Sequence, residues 1–385
     1  MEIRKNVAPE FVLGSGALDL VGRYANNFAA QRALVVTDPG VIAAGWTGLV
    51  VAALGRSGVA SAIFAEVSPN PREAQVMRGA EVFDKEGADV IVAVGGGSPM
   101  DCAKGIGIVA SSGEHILSFE GIDKVRIPGP PLICIPTTAG SSADVSQFAI
   151  INDTARNVKI AVISKAMVPD AALIDPRTTT TMPASLTAAT GIDALVHAIE
   201  AYVSTASSPV TDLHALEAVR RISANLVAAI RYPDALAYRD SMTLGSMLAG
   251  LAFSNASLGM VHAMAHSLGG FLDLPHGVCN ALLLEHVVAF NFDGAAERYA
   301  ALAQAFGVDV AGKPVAGQKK LFVEALHALR LQVDLGHGLA ELGVKEADIP
   351  QLARNAFADP CLVTNPVQPT LADIEQTYER ALETR

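Results

Sequence analysis

The first half of the chain alternates short apolar segments with segments of helical periodicity. Apolar runs at residues 33–38, 61–67, 89–98 and 132–138 are rich in β-branched residues and end in turn-forming or polar residues. Such runs are typical of buried parallel strands. The segment between Pro71 and Gly87 has helical spacing and predicts one of the intervening helices. The pattern therefore predicts a parallel sheet covered by helices on both faces, with ligands at the carboxyl ends of its strands.

Strand signals nearly disappear after about residue 181, where apolar residues recur at helical spacing instead. A chain of 385 residues also exceeds what one hydrophobic core usually supports. We therefore predict an α/β N-terminal domain over residues 1–180 and an all-α C-terminal domain over residues 181–385. The helical segments are expected at residues 185–204, 212–231, 241–254, 258–272 and 295–306.

Composition excludes several classes of partner. The net charge of -11 argues against general attraction to nucleic acid or to an anionic membrane. No apolar run is long enough to cross a bilayer, and no apolar stretch follows the basic residues near the N-terminus. We expect a cytoplasmic protein with no nucleic-acid or membrane partner. The four cysteines show no CxxC spacing, which favours packed thiols over disulfides or a thiolate zinc site.

A glycine-rich segment joins a predicted strand to a predicted helix. Gly95, Gly96 and Gly97 precede Ser98, the expected N-cap, and Pro99, the expected first helical residue. Glycines allow backbone N–H groups to approach an anion, and a helix N-terminus adds partial positive charge. The segment is consistent with a pyrophosphate site, although such a turn also occurs as a purely structural connection.

Polar residues at two neighbouring strand ends strengthen the cofactor interpretation. Asp38 ends the run at residues 33–38 and is suited either to hydrogen-bond an adenosine ribose or to cap a turn. Because its charge would repel a 2′-phosphate, a ribose role favours NAD over NADP. Thr137 and Thr138 follow another run, where they either surround phosphate or ribose or belong to an ordinary polar loop.

Histidines and a carboxylate recur at helical spacing in the second half. Asp193 and His197 stand four residues apart, and His262 and His266 repeat this spacing, so each pair projects from one helical face. His276 follows in a predicted glycine-flanked loop. Imidazoles and a carboxylate without thiolates suit Fe²⁺, Zn²⁺ or a similar divalent ion. Any one of these histidines alone favours a core or surface role over a ligand role. Their clustering with Asp193 favours a metal site, because unpaired charges in small-residue helices would be costly.

Taken together, these motifs resemble those of the iron-containing (group III) alcohol dehydrogenases, and the likeness runs through nearly the whole chain. The resemblance implies a dehydroquinate synthase-like architecture: a dinucleotide-binding α/β domain, a helical domain and a divalent metal in the cleft between them. It implies Fe²⁺ as the metal, with Zn²⁺ as the alternative. The motifs that carry the likeness are GGGSPMDCAK, PTTAGSSADV, AATGIDALVHAIEAYVS, LGMVHAMAHSLGG and LPHGVCNALLLEHV.

Site residues follow from the resemblance position by position. The implied metal ligands are Asp193, His197, His262 and His276, while His266 would be a catalytic residue beside the metal and not a ligand. The implied cofactor residues are Asp38, Asn70, Gly95, Gly96, Gly97, Ser98, Asp101, Thr137, Thr138 and Lys159.

The expected activity is NAD-dependent interconversion of a primary alcohol and its aldehyde by hydride transfer, with the divalent metal polarising the substrate oxygen. Phe253 is either an apolar wall of the substrate pocket or an ordinary core residue. A homodimer is expected by default. The alternatives are a glycerol-type dehydrogenase, a sugar-phosphate cyclase of the same fold, or a non-catalytic metal- and nucleotide-binding scaffold. The cyclase is disfavoured because the helical half offers few phosphate-binding basic residues beside the histidine motifs.

Overall fold

The chain divides into two compact units in a computed structural model that describes residues 3–383. The α/β unit comprises Val7–Met182 and Asp234–Thr243. The helical unit comprises the described residues before Val7, Pro183–Pro233 and the described residues from Leu244 onward.

All strands of the described residues belong to the α/β unit. Six of them form one parallel sheet in the order β1-β9-β6-β4-β2-β3, and three form a second sheet in the order β5-β8-β7. The strands are β1 (Glu10–Leu13), β2 (Arg32–Val36), β3 (Ala60–Phe64), β4 (Val90–Gly95), β5 (Gly121–Ile122), β6 (Leu132–Pro136), β7 (Phe148–Asp153), β8 (Val158–Ile163) and β9 (Ala171–Ile174).

Helices cover both faces of the six-stranded sheet. Leu34 and Ile91 point into a core that includes residues of α4 and α5, whereas Val35 and Val92 point into a second core that includes residues of α1 and α3. Alternate residues of a strand face opposite sides, so both faces of β2 and β4 are apolar and buried. The predicted fold class is confirmed for this unit. Its helices are α1 (Val21–Asn27), α2 (Pro39–Ala43), α3 (Trp46–Arg56), α4 (Glu73–Glu86) and α5 (Gly97–Ser112).

The second, smaller sheet was not anticipated from the pattern of apolar residues. Strands β7 and β8 form an antiparallel pair. The buried amine of Lys104, on α5, donates to the carbonyl oxygens of Ser146 and Phe148 at 2.9 and 2.7 Å. Asp101, also on α5, accepts a hydrogen bond from the backbone N–H of Ile150 at 3.1 Å. These contacts attach β7 to α5, the helix that follows the glycine-rich loop.

The described part of the helical unit contains α-helices and no strands, as expected from the periodicity. His276 is the first residue of a helix, so the prediction that it lies in a loop was wrong. The helices are α6 (Ala184–Val203), α7 (Pro209–Arg231), α8 (Leu236–Ala256), whose first residues belong to the α/β unit, α9 (Met260–Leu272), α10 (His276–Asn291), α11 (Ala296–Phe306), α12 (Val315–Gln332), α13 (Ile349–Phe357) and α14 (Leu371–Glu383).

No single helix within residues 3–383 is long and apolar enough to span a membrane. Helices α8 and α9 satisfy the length and hydropathy requirements only as a pair, and the chain bends by 98° between them.

Gly277, the second residue of α10, marks a close approach between α10 and α6. A Cβ atom at this position would lie 2.5 Å from the carbonyl oxygen of Ala189 on α6. A backbone group cannot move aside as the end of a flexible side chain can. The absence of a side chain at Gly277 therefore allows α10 to lie directly against α6.

We predict that Gly277→Ala lowers the free energy of unfolding by about 1–3 kcal/mol, because it overpacks the contact between α6 and α10. The measurement is the thermal midpoint and the denaturant midpoint of the full chain. Gly48→Ala is the matched control, since Gly48 also lies in a helix but a Cβ there meets nothing within 4 Å. The control should be neutral or slightly stabilising, and equal loss in both variants would contradict the packing argument.

Candidate functional site

Three helices bring the four predicted metal ligands together. Asp193 and His197 lie one turn apart on α6, His262 lies near the start of α9, and His276 begins α10. The Nε2 atoms of His197, His262 and His276 lie 3.9, 3.8 and 3.6 Å from Oδ1 of Asp193. These separations are too long for hydrogen bonds. Three imidazole nitrogens are nevertheless gathered around one carboxylate oxygen.

The ligand atoms of Asp193, His262 and His276 all lie within 4.8 Å of one another, and Nε2 of His197 lies beside them, 3.9 Å from Oδ1 of Asp193. Ligands arranged tetrahedrally at about 2.1 Å from one ion lie about 3.4 Å from each other, so the separations of 3.6 to 3.9 Å from Oδ1 are close to those that one cation requires. Asp193, His197 and His262 are buried, whereas His276 retains 27% of its side-chain exposure. Burial, together with neighbouring His197, lowers the pKa of His262 well below its ordinary value, which favours the neutral imidazole that binds metal. The residues present therefore fit a divalent ion.

Asn280, one turn after His276 on α10, also belongs to this cluster. Its Nδ2 donates to Oδ1 of Asp193 at 2.6 Å and lies 3.3 Å from Nε2 of His262 and 3.2 Å from Nε2 of His276. Its Oδ1 is buried and has no hydrogen-bond partner among the described residues. The i, i+4 spacing from His276 was a signal that sequence reasoning did not use.

A buried carboxylate lies behind His262. Oε2 of Glu200, on α6, lies 2.7 Å from Nδ1 of His262, and the carboxylate also accepts backbone N–H groups at the start of α9. Burial raises the pKa of Glu200 to about 7, while these backbone hydrogen bonds act in the opposite direction. Sequence reasoning missed Glu200, although it follows His197 by three residues and so lies on the same helical face.

His266 lies beside the cluster and has a different partner. Its ring stacks on that of His276, with centroids 5.3 Å apart, and its Nδ1 lies 2.9 Å from Oδ2 of Asp359. Asp359 also accepts the backbone N–H of Cys361 at 2.8 Å. Although burial acts in the opposite direction, the charge and hydrogen bond of His266 lower the pKa of Asp359. Asp359 carries no local sequence signal, because 93 residues separate it from His266.

Phe253 lies next to the predicted ligands. It is buried, and its ring stacks on that of His197 with centroids 4.3 Å apart and an interplanar angle of 20°. The phenyl ring therefore forms an apolar boundary directly against an imidazole of the cluster.

In the α/β unit, the strand ends predicted to bind cofactor lie side by side at the carboxyl end of the sheet. Strands β2, β4 and β6 are adjacent and parallel, and Gly95 is paired in register with Pro136. The glycine-rich loop therefore lies next to Thr137 and Thr138. A Cβ on Gly96 would lie 3.2 Å from the side chain of Thr138, so the two loops pack closely. This arrangement agrees with the rule that ligands bind outside the carboxyl ends of parallel strands.

Helix α5 begins at Gly97, so the prediction of Ser98 as N-cap and Pro99 as first helical residue was wrong. The N-cap is Gly96, in extended conformation and without a side chain to cap the helix. Gly95 has a φ of 152°, and a Cβ there would meet Cγ of Pro99 at 2.6 Å. The chain therefore turns earlier than predicted, because successive glycines permit a tight entry into the helix.

Asp38 adopts the capping role that the sequence left open. It is the N-cap of α2, and its Oδ1 accepts the backbone N–H of Val41 at 3.0 Å. One carboxylate oxygen is thus engaged in structure, and a contact with ribose stays a prediction.

Of the other predicted cofactor residues, Lys159 and Asn70 contact each other, and Asp101 contacts strand β7 instead. Nζ of Lys159, on β8, donates to Oδ1 of Asn70 at 2.7 Å, and Asn70 has a positive φ of 54°. Asp101 bonds to β7, as described above. Lys159 and Asn70 are therefore brought together by the fold, whereas the carboxylate of Asp101 has a structural partner.

Sequence and structure comparisons identify the family. The profile of iron-containing alcohol dehydrogenase matches residues 8–176, and that of the C-terminal part of the Fe-containing alcohol dehydrogenase family matches residues 187–382. The chain belongs to the iron-containing alcohol dehydrogenase family. The predicted family, fold class and alcohol dehydrogenase activity are confirmed.

Individual relatives cover almost the full chain. The NAD-dependent methanol dehydrogenase of Bacillus methanolicus is 39% identical over 376 residues, covering 98% of this chain and 99% of that protein. The 1,3-propanediol dehydrogenase of Citrobacter freundii is 40% identical over 370 residues, covering 96% of each. A crystal structure of 1,3-propanediol oxidoreductase superposes with a TM-score of 0.96 at 38% identity, covering 99% of this chain and 100% of that one.

The ligand prediction is tested by removing single imidazoles. We expect His262→Ala and His276→Ala to lose bound divalent metal and nearly all turnover while retaining the fold, because each removes one nitrogen donor. Elemental analysis and circular dichroism of anaerobically purified protein are the measurements. His337→Ala is the control, since His337 is exposed and pairs with Glu341. Wild-type metal content in both ligand variants would show that the ligand set is wrong.

Proposed function

We propose that this enzyme interconverts a primary alcohol and its aldehyde, using NAD as hydride acceptor and donor and divalent iron as the bound metal. The observation that carries the proposal is the convergence of His197, His262 and His276 around one carboxylate oxygen of Asp193. The names of two relatives, which specify methanol and 1,3-propanediol, support small primary alcohols as the substrate class. NAD is supported by the name of the first of these relatives.

These four residues would hold the metal through one carboxylate oxygen and three Nε2 atoms. A divalent ion bound there supplies Lewis acidity to the oxygen of the alcohol or aldehyde. The absence of a thiolate from the donor set is consistent with Fe²⁺ and leaves Zn²⁺ as the alternative. Phe253, stacked on His197, would limit water and give the substrate an apolar boundary.

His266 is proposed to move the hydroxyl proton. Because the carboxylate of Asp359 is the acceptor at Nδ1 of His266, Nε2 is left as the atom that receives a proton. Bound NAD⁺ would supply the hydride acceptor for the carbinol carbon, and Nε2 of His266 would take the hydroxyl proton and pass it to solvent. The products are the aldehyde, NADH and a proton released to solvent.

Cofactor binding is assigned to the α/β unit. The backbone N–H groups from Gly95 to Ser98, at the start of α5, would bind the pyrophosphate. Thr137 and Thr138 would add hydroxyl donors from the adjacent strand end. We propose that the second oxygen of Asp38 faces the ribose and disfavours a 2′-phosphate, and that Asn70, Asp101 and Lys159 line the cofactor site.

The proposed setting is a cytoplasmic homodimer. The net charge of -11 supports small-molecule substrates over nucleic acid or an anionic membrane as partners. A two-fold homodimer is the commonest closed assembly among soluble oligomers in general.

We expect anaerobically purified enzyme to form NADH from NAD⁺ with primary alcohols of increasing chain length. The measurements are NADH absorbance and the metal content of the same preparation. Treatment with a chelator should abolish activity, and Fe²⁺ should restore it. A metal-loaded protein that binds NAD⁺ but oxidises none of these alcohols would favour the scaffold alternative. Turnover of glycerol in preference to primary alcohols would favour the glycerol-type dehydrogenase.

A separate prediction concerns His266. His266→Ala should keep its metal but lower kcat by roughly a hundredfold, within the range typical of general acid–base groups. Asp359→Asn should cause a smaller loss, because it weakens the orientation of the imidazole without removing it. Metal content, thermal midpoint and kcat are measured on one preparation of each variant. A metal-free His266→Ala protein would make His266 a ligand, and a fully active one would exclude the relay.

A further inference from the structure

Glu200 occupies the same face of α6 as two predicted metal ligands. It follows His197 by three residues and Asp193 by seven, which places all three side chains along one stripe of the helix. Only 4% of its surface is exposed. A carboxylate at such a position requires several hydrogen-bond donors, because an uncompensated buried charge is costly.

The carboxylate of Glu200 has four donors within reach. Oε1 accepts the backbone N–H of Val261 at 2.6 Å, and Oε2 accepts that of Gly259 at 3.1 Å and that of His262 at 3.4 Å. Nδ1 of His262 is the fourth, 2.7 Å from Oε2. The side chain therefore contacts both the N-terminus of α9 and the imidazole that α9 carries.

The start of α9 is shaped to receive this carboxylate. The N-cap residue Gly259 has no side chain with which to cap the helix. A Cβ at Gly259 would lie 2.9 Å from Oε1 of Glu200 and 2.8 Å from Oδ1 of Asn365. Asn365 binds the remaining backbone N–H in this turn, that of Met260, at 3.1 Å. Both polar side chains reach the helix terminus only because residue 259 is glycine.

The hydrogen-bond arrangement determines the orientation of His262. A carboxylate that accepts three backbone N–H groups also acts as the acceptor toward Nδ1, so the ring proton resides on Nδ1. A neutral imidazole carries one N–H, and its Nε2 therefore presents a lone pair. That Nε2 lies 3.8 Å from Oδ1 of Asp193, on the side of the other predicted ligands.

We propose that Glu200 is a positioning residue that holds His262 in the Nδ1–H tautomer, with Nε2 directed at the other predicted ligands before a metal binds. The proposal rests on the proposed role of His262 as a metal ligand. The tautomer itself exists in the metal-free protein and is measured there. Carboxylate partners of metal-binding histidines typically contribute a factor of 10–100 in metal affinity.

A purely structural role predicts something different. If Glu200 only caps α9, its removal should resemble the removal of Asn365, which caps the same helix terminus. Asn365 bonds to Met260, Asn291 and the backbone of Val367, and none of these is a histidine. Asn365→Ala is therefore the matched control for a loss of capping without a loss of histidine orientation.

The experiment compares Glu200→Gln, Asn365→Ala and wild-type full-length chain, each freed of metal by chelation. Co²⁺ affinity is measured by chelator competition, Co²⁺ coordination by visible absorption, and stability by the thermal midpoint. We expect Glu200→Gln to bind Co²⁺ roughly 10- to 100-fold more weakly and to alter the Co²⁺ spectrum. Asn365→Ala should lower the thermal midpoint while leaving affinity and spectrum unchanged. An unchanged Co²⁺ affinity and spectrum in Glu200→Gln would overturn the proposal.

A measurement on the wild-type protein covers the case in which Glu200→Gln does not fold. Two-bond 15N–1H correlation spectra of metal-free protein labelled at histidine report the tautomer of each ring. The signals of His262 are identified by their absence in His262→Gln. A proton on Nδ1 supports the proposal, and a proton on Nε2 refutes it. Metal retention by His262→Ala would instead refute the ligand role, so the two failures are distinct.

Discussion

A carboxylate and several imidazoles lie buried where three helices of mainly small apolar residues meet. The stability of the helical unit depends on partners that replace the water these groups have lost. Asp193, His197 and His262 are almost completely inaccessible to water. Desolvation of such groups costs several kcal/mol each unless a partner replaces water. A divalent cation, with the amide of Asn280 beside it, is the compensation for which these donors are suited. The close contact of α6 with α10 at Gly277 brings His276 to the same place.

Each imidazole of the cluster has a distinct environment, and the differences assign distinct roles. The Nδ1 atom of His262 lies against Glu200, that of His266 lies against Asp359, and the ring of His197 is covered by Phe253. A histidine ring can present a lone pair at only one nitrogen when it is neutral. The group at one nitrogen therefore determines what the other can bind, and this is decided by residues outside the predicted ligand set.

The α/β unit is subject to a different constraint, because its backbone must leave room for the close approach of the predicted anionic cofactor. Strand β4 ends at Gly95, and the following glycines lie under the side chains of Thr138 and Ser141. Helix α5, which begins there, is attached to strand β7 through Lys104 and Asp101. The loop predicted to bind pyrophosphate is thus supported by contacts from a sheet that the alternation of apolar residues did not reveal.

Local periodicity determined much of this protein. The β-branched runs predicted β2, β3, β4 and β6 of the six-stranded sheet. The 3.6-residue period predicted the helices and placed Asp193 and His197 on one face. These features depend on residues close together in the chain. Tertiary structure alone decided which helices meet, where α5 and α10 begin, and that Glu200 and Asp359 contact His262 and His266. Such contacts join residues 62 and 93 positions apart. They depend on packing and on the glycines that allow close approach, so no local pattern records them.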